Sequence, residues 1–189
     1  MTLGFSTHIN GKPTRFPEKI WNSLMHDVGL SDEEYYKWHG EDGKLNYNMG
    51  NTYDDNLSYL HPKKHTIRFM TPDRADQWEG KNIHFVIGNR TPQRFQFAPL
   101  TKVTGIQRIH FRFNVGHIEI EIDEEVWAEV FHHGIDDIYE YTTDLEELAK
   151  NDGFNGVEDF IAYFNQESIE DARNQGKYPY LIHWTNLKY

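Results

Sequence analysis

The segment His61-Pro62-Lys63-Lys64-His65-Thr66-Ile67-Arg68 places two amines, a hydroxyl, a guanidinium and two imidazoles within eight residues. On an extended strand, Lys64, Thr66 and Arg68 share one face, and Lys63, His65 and Ile67 the other. Pro62 favours an extended entry, and a bend just after it re-aims Lys63. A hydroxyl beside a lysine and an arginine suits recognition of an anion or a carbonyl. A threonine hydroxyl becomes a nucleophile when a neighbouring base takes its proton, and a desolvated lysine is such a base. The same residues also fit an edge strand guarded by lysines against aggregation.

A carboxylate to complete such a group occurs at Asp152, in Ala149-Lys150-Asn151-Asp152-Gly153-Phe154. Gly153 permits the left-handed turn that ends a helix, and Phe154 anchors the start of the next. Asp152 either caps that turn or reaches the Lys/Thr strand. Other candidates carry less chemistry. His132-His133 with Asp136 and Asp137, and the His61/His65 pair, match no metal motif, so neither a metal nor another cofactor is expected. Arg108, His110, Phe111, Arg112 and Phe113 interleave bases and rings, as a single-strand nucleic-acid track does; one core face and one basic face gives the same pattern. Gly88-Asn89-Arg90-Thr91-Pro92 is a turn and no phosphate loop.

These residues need elements to position them. Leu3–Ile9 reads as a strand, followed by a turn at Gly11-Lys12-Pro13. Pro17 opens a helix whose apolar stripe, Ile20, Trp21, Leu24, Met25 and Val28, stops at Gly29. Ser31 and Glu34 form a capping box for a second helix through Trp38. Residues 40–60 have no period and read as an ordered loop or insertion. Strands follow at His65–Phe69, Asn82–Ile87, Arg94–Ala98, Lys102–Phe113 and His117–Asp123, the last with isoleucines on one face and acids on the other. A short helical turn around Trp78 separates the first two. Val126–Phe131 fits either strand or helix. Asp144–Lys150 is a helix, Val157, Phe160, Ile161 and Phe164 mark another, and Tyr180–Trp184 is a final strand. The pattern predicts an α+β fold, a mostly antiparallel sheet or small barrel with helices at its margins.

Composition narrows the class. Aromatics make up 15% of the chain, which argues against global disorder. With no cysteine there are no disulfides, thiolate nucleophiles or cysteine-bound zinc. No apolar run approaches a membrane span and the N-terminus does not read as a signal peptide, so a cytoplasmic protein without a membrane partner is expected. The net charge of −11 is unevenly spread. Residues 118–171 hold eighteen acids against Lys150 alone, so the rest of the chain carries +6. Between Leu60 and His117, ten Lys and Arg face three acids. Such polarity fits a basic surface beside an acidic one.

Lys63-x-x-Thr66-x-Arg68 on a strand after a helix, with Asp152-Gly153-Phe154 leading into Val157-Glu158-Asp159-Phe160, resembles the ASCH domains of the PUA-like superfamily. Phe16-Pro17-Glu18-Lys19-Ile20 looks like that family's first helix. The resemblance covers most of the chain as a single domain, 1–189, with an insertion at about 29–60. It implies a small β-barrel whose cleft receives a nucleobase, nucleoside or RNA segment. Lys63, Lys64, Thr66 and Arg68 would contact the ligand's polar groups, and Trp78 or Trp184 would stack on the base. Some ASCH proteins are amidohydrolases acting on N4-acetylcytidine through a Lys, a Thr and a Glu. Transferred here, that chemistry gives Lys63 as base, Thr66 as nucleophile and Asp152 as the carboxylate, one methylene shorter than the family's Glu. A third expectation is an acidic interaction protein that binds a basic protein partner or mimics nucleic acid through residues 118–171.

Overall fold

The computed structural model describes residues 1–39, 59–133 and 138–189. The chain runs β1 (Thr2–Phe5), β2 (His8–Ile9), β3 (Lys12–Pro13), α1 (Phe16–Ser23), α2 (Asp32–His39), β4 (His65–Met70), α3 (Pro72–Ala75), β5 (Asn82–Ile87), β6 (Phe95–Gln96) and β7 (Thr101–Lys102). It continues through β8 (Gly105–Asn114), β9 (His117–Ile122), β10 (Glu125–His133), β11 (Ile138–Tyr141), α4 (Thr143–Asn151), α5 (Val157–Tyr163), α6 (Gln166–Asn174) and β12 (Tyr178–His183).

Six strands form one antiparallel sheet in the order β11-β10-β9-β8-β12-β4. A smaller sheet holds β1 parallel to β5, which also pairs antiparallel with β6 and β7. The fold is α+β and mostly antiparallel, and among the described residues the two sheets are not joined into one closed barrel. β12 explains how the layers stack. Its Tyr180 and Ile182 enter a core shared with Phe5, Trp21, Phe85 and Trp184, while Leu181 enters a second core with Leu145, Leu148 and Phe160. A strand buried on both faces must be apolar at consecutive positions, as this one is.

Several elements follow directly from local signals. Ser31 and Glu34 exchange the two capping-box bonds, Ser31 N to Glu34 Oε2 at 2.9 Å and Glu34 N to Ser31 Oγ at 3.2 Å. In β9, Ile120 and Ile122 are buried, and Glu119 reaches across to Arg112 at 3.2 Å.

Other expectations need correction. Leu3–Ile9 is two strands, broken after Phe5 so that β2 and β3 form their own hairpin. The long strand from Lys102 is likewise interrupted before Gly105. Val126–Phe131 lies within a strand, because β10 pairs with β9 on one side and β11 on the other. The first helix does run through Val28 and end at Gly29, φ +85°, as expected, with its last turn, Leu24–Val28, π-helical. Helix α6 carried no sequence signal that was read. Most of the expected insertion, residues 40–58, and Asp136 and Asp137 lie outside the described residues.

Candidate functional site

β4 is the edge of the larger sheet. Its lead-in is fixed from two sides: Lys63 N donates to Lys19 O of α1 at 2.9 Å, and Lys64 N donates to Asn151 O of α4 at 2.8 Å. These bonds turn the chain after Pro62 and send the Lys63 side chain inward. Its amine lies 4.8 Å from the Phe16 ring centroid and 6.0 Å from that of Phe5.

Asp152 arrives from the other end of the chain. It is the C-cap of α4, and Gly153 turns the backbone immediately after it at φ +90°. Added to Gly153, a Cβ would sit 2.9 Å from Lys63 Cδ and 2.9 Å from Phe16 Cε1, so both conformation and space demand glycine there. Asp152 Oδ1 accepts from Lys63 Nζ at 3.0 Å and from Ile67 N at 2.9 Å. The second bond satisfies a backbone donor that an edge strand would otherwise leave open. Lys63 Nζ also donates to the Asp152 carbonyl. The two side chains are 1% and 5% exposed, so this ion pair is out of water.

Burial and pairing act in opposite directions on the amine. Desolvation dominates and lowers Lys63 to about 8, despite the opposing pull of Asp152. For Asp152, desolvation pushes the pKa up, but Lys63 and His65 overcome it and hold the carboxyl below its ordinary value. A lysine that sheds its proton near neutrality, beside a carboxylate that keeps its charge, is suited to receive and return a proton.

Thr66 and Arg68 occupy the face of β4 that carries their cross-strand partners Ile182 and Tyr180. Thr66 is buried, and its hydroxyl makes no side-chain hydrogen bond among the described residues. Arg68 stacks its guanidinium 5.1 Å from the Phe5 ring centroid and donates to Gly4 O at 2.8 Å. Phe5 therefore touches both the Lys63 amine and Arg68.

The remaining sequence candidates do not join this group. Lys64 turns toward Asp27, with Nζ 3.4 Å from Oδ1. Trp78 is a core residue of the β5 layer. Trp184 is 1% exposed, edge-on to Phe85 at 5.2 Å, and donates its indole N–H to Ser23 Oγ at 3.0 Å. The stacking role given to both indoles is corrected, because packed rings offer no free face to a base. Phe111 likewise belongs to the second core, while Arg112 pairs with Glu119 and Glu121.

Five contributors were not anticipated. Lys19 is buried, donates to Gly153 O at 2.7 Å and Asn155 Oδ1 at 3.0 Å, and is lowered to about 8, chiefly by desolvation. The signal available was a lysine one position before an apolar stripe residue, which on a helix brings it toward the buried face. His65 places Nδ1 3.5 Å from Asp152 Oδ1 and Nε2 2.8 Å from the Tyr189 hydroxyl. Asn151 Nδ2 donates to that hydroxyl at 3.0 Å, which leaves its single proton for His65 Nε2. His65, Tyr189 and Asn151 thus brace the carboxylate from behind. Phe5 is the fifth, and nothing in its local sequence distinguished it from any other core phenylalanine.

No family model, curated protein or solved structure matches the chain. Among the described residues no group of three or more His, Asp or Glu is arranged to hold a metal ion, and no helix is long and apolar enough to cross a membrane.

Proposed function

We propose that this protein is a PUA-like, ASCH-type module that binds a nucleobase, nucleoside or RNA element beside β4, its two sheets corresponding to the halves of a small barrel. The observation that carries the reading is the 3.0 Å approach of Lys63, just ahead of β4, to Asp152, 89 positions away at the end of α4, next to the strand that carries Thr66 and Arg68. Lys63 and Asp152 supply a donor and an acceptor, and Thr66 supplies both from one hydroxyl. That set matches the edge of a base, where donors and acceptors alternate. The rings nearest the Lys63 amine are Phe16 at 4.8 Å and Phe5 at 6.0 Å, and Phe5 also lies against Arg68.

A second reading, hydrolysis of an acylated nucleoside such as N4-acetylcytidine, is favoured by the lowered Lys63 pKa. Neutral Lys63 would take the Thr66 proton, and the Thr66 oxygen would attack the acyl carbonyl. The departing amine would recover the proton from Lys63, and water would then release the acyl group from Thr66. Binding ranks first because Lys63 Nζ is engaged by Asp152 rather than by the Thr66 hydroxyl. The acidic-partner reading ranks third. Glu119, Glu121, Glu146 and Asp159 each pair with a lysine or arginine of this chain, so part of the acidic surface is already engaged.

Calorimetric titration with cytidine, N4-acetylcytidine and short RNAs tests the proposal. Binding tighter than millimolar that is lost in Lys63→Ala is expected. No binding, or binding indifferent to Lys63→Ala, refutes it.

A further inference from the structure

The parallel pair β1 and β5 ends at one edge, where the loops after Phe5 and after Ile87 enclose an open cleft of about 570 Å³. Its rim is built by Ser6, Thr7, His8, Gly88, Asn89 and Arg90, and Phe5 and Gly4 form its inner wall. No acid lines it, in a chain of net charge −11. Three other surface hollows among the described residues differ: the one behind Phe16 holds Asp159 with Lys12, and the two along β8 hold Glu121 and Glu124, or Glu170, beside their arginines.

Four backbone carbonyls around this cleft are already engaged within the chain. Ser6 O takes the Thr14 hydroxyl at 2.7 Å and Thr7 O takes Thr14 N at 2.9 Å. Gly88 O takes both Thr91 N at 3.0 Å and Thr91 Oγ1 at 2.8 Å, and Gly4 O takes Arg68. Four carbonyls that would repel an anion are each occupied by a donor. The side chains at the rim are the Ser6 hydroxyl, the Thr7 hydroxyl and His8 ring, which bond each other at 3.2 Å, the Asn89 amide and the Arg90 guanidinium. Arg90 holds an unfavourable left-handed conformation at φ +68°, next to Gly88, where a Cβ would lie 2.8 Å from Gln93 O. A strained, exposed arginine fixed by a turn is a feature that binding sites tolerate and plain turns usually avoid.

We infer that this cleft is an anion site that takes the phosphate group of a nucleoside phosphate ester. The inner wall connects it to the Lys63 group, since Phe5 contacts Lys63 and Arg68 and Gly4 accepts from Arg68. Assigning the phosphate to a nucleoside rests on the function proposed above; the anion site itself stands on the rim alone. Arg90 provides charge-assisted hydrogen bonds and the hydroxyls complete the shell.

Chemical-shift mapping with inorganic phosphate, cytidine and cytidine 5′-monophosphate tests it. Arg90→Gly serves as the variant because glycine adopts the left-handed conformation freely and leaves the turn intact. Phosphate alone is expected to move the amides of Ser6, Thr7, Gly88 and Arg90. The monophosphate is expected to bind about tenfold more tightly than cytidine, and Arg90→Gly to remove that gain without weakening cytidine. A short RNA that shifts the same amides more strongly than the monophosphate identifies a diester as the group held, which equally supports the site. Phosphate binding without cytidine binding leaves the site standing and removes the nucleoside reading. Amides unmoved by phosphate, or moved equally in Arg90→Gly, overturn the anion site whatever cytidine does.

Discussion

Lys63 Nζ lies 3.0 Å from Asp152 Oδ1, and both side chains are withdrawn from solvent. Such a pair is asymmetric in its consequences: its net stabilisation is small, but removing one member strands the other in a low dielectric. Asp152 also accepts from Ile67 N, whereas Lys63 serves only Asp152.

Lys63→Met is therefore expected to destabilise the fold by about 3 kcal/mol, within the range for one broken buried pair. Asp152→Ala is expected to cost about 1–3 kcal/mol more, because it also leaves the Ile67 N–H without a partner. Urea unfolding of both variants and of the double variant measures this. Equal costs would show that the Ile67 bond contributes nothing.

Gly153→Ala tests how the carboxylate is placed. A side chain at φ +90° is strained, and its Cβ would press on Lys63 Cδ and the Phe16 ring, both at 2.9 Å. The substitution is expected to cost about 2–4 kcal/mol and to weaken any ligand that needs Lys63 in place. Thermal unfolding and ligand titration on the same sample check both effects; a neutral substitution would mean that the turn has a different shape.

His183 predicts the acid limb of stability. It is fully buried among His65, Tyr189 and Lys188, neither ring nitrogen has a hydrogen-bond partner among the described residues, and desolvation drives its pKa down to about 2. Unfolded, it titrates near 6.5. Between those values the unfolded chain binds a proton that the folded chain refuses, so the stabilisation is complete above pH 6.5 and is lost as pH falls toward 2. His65, also lowered by burial, adds in the same direction. His183→Leu is expected to flatten the slope of stability against pH by about 1.4 kcal/mol per unit in that window. Unfolding curves at pH 4, 5 and 6 measure the slope, and an unchanged slope contradicts the assignment.

Much of the framework was legible because its causes are local. The Ser31/Glu34 capping box, the Ile120/Ile122 alternation and the glycine stop at Gly29 each need only a few neighbouring residues. Lys63 was half legible: Pro62 signalled a bend, but the direction is set by backbone bonds to Lys19 and Asn151, which no short window contains. Trp78 and Trp184 misled for the same reason. Trp184, at its strand end, fits core or stacking equally until the opposing layer, here Phe5 and Phe85, is in place, and Trp78, in the turn after α3, is buried only by the assembled core. The bracing of Asp152 by His65 and Tyr189 joins residues 124 positions apart and left no pattern in the sequence.

Trp184 gives that correction a direct check. Trp184→Phe is expected to lower stability, by about 1–3 kcal/mol from the lost indole hydrogen bond to Ser23 and lost packing, while leaving nucleoside affinity within twofold. Loss of affinity without loss of stability would restore the indole to the ligand.

The decisive measurement is the map of amide shifts on adding cytidine or N4-acetylcytidine to the intact chain. Changes centred on Lys63, Thr66, Arg68 and Asp152, abolished in Lys63→Ala, are the predicted result. No change at millimolar nucleoside, or changes confined to the acidic strands β9 and β10, would contradict the placement of the ligand beside β4.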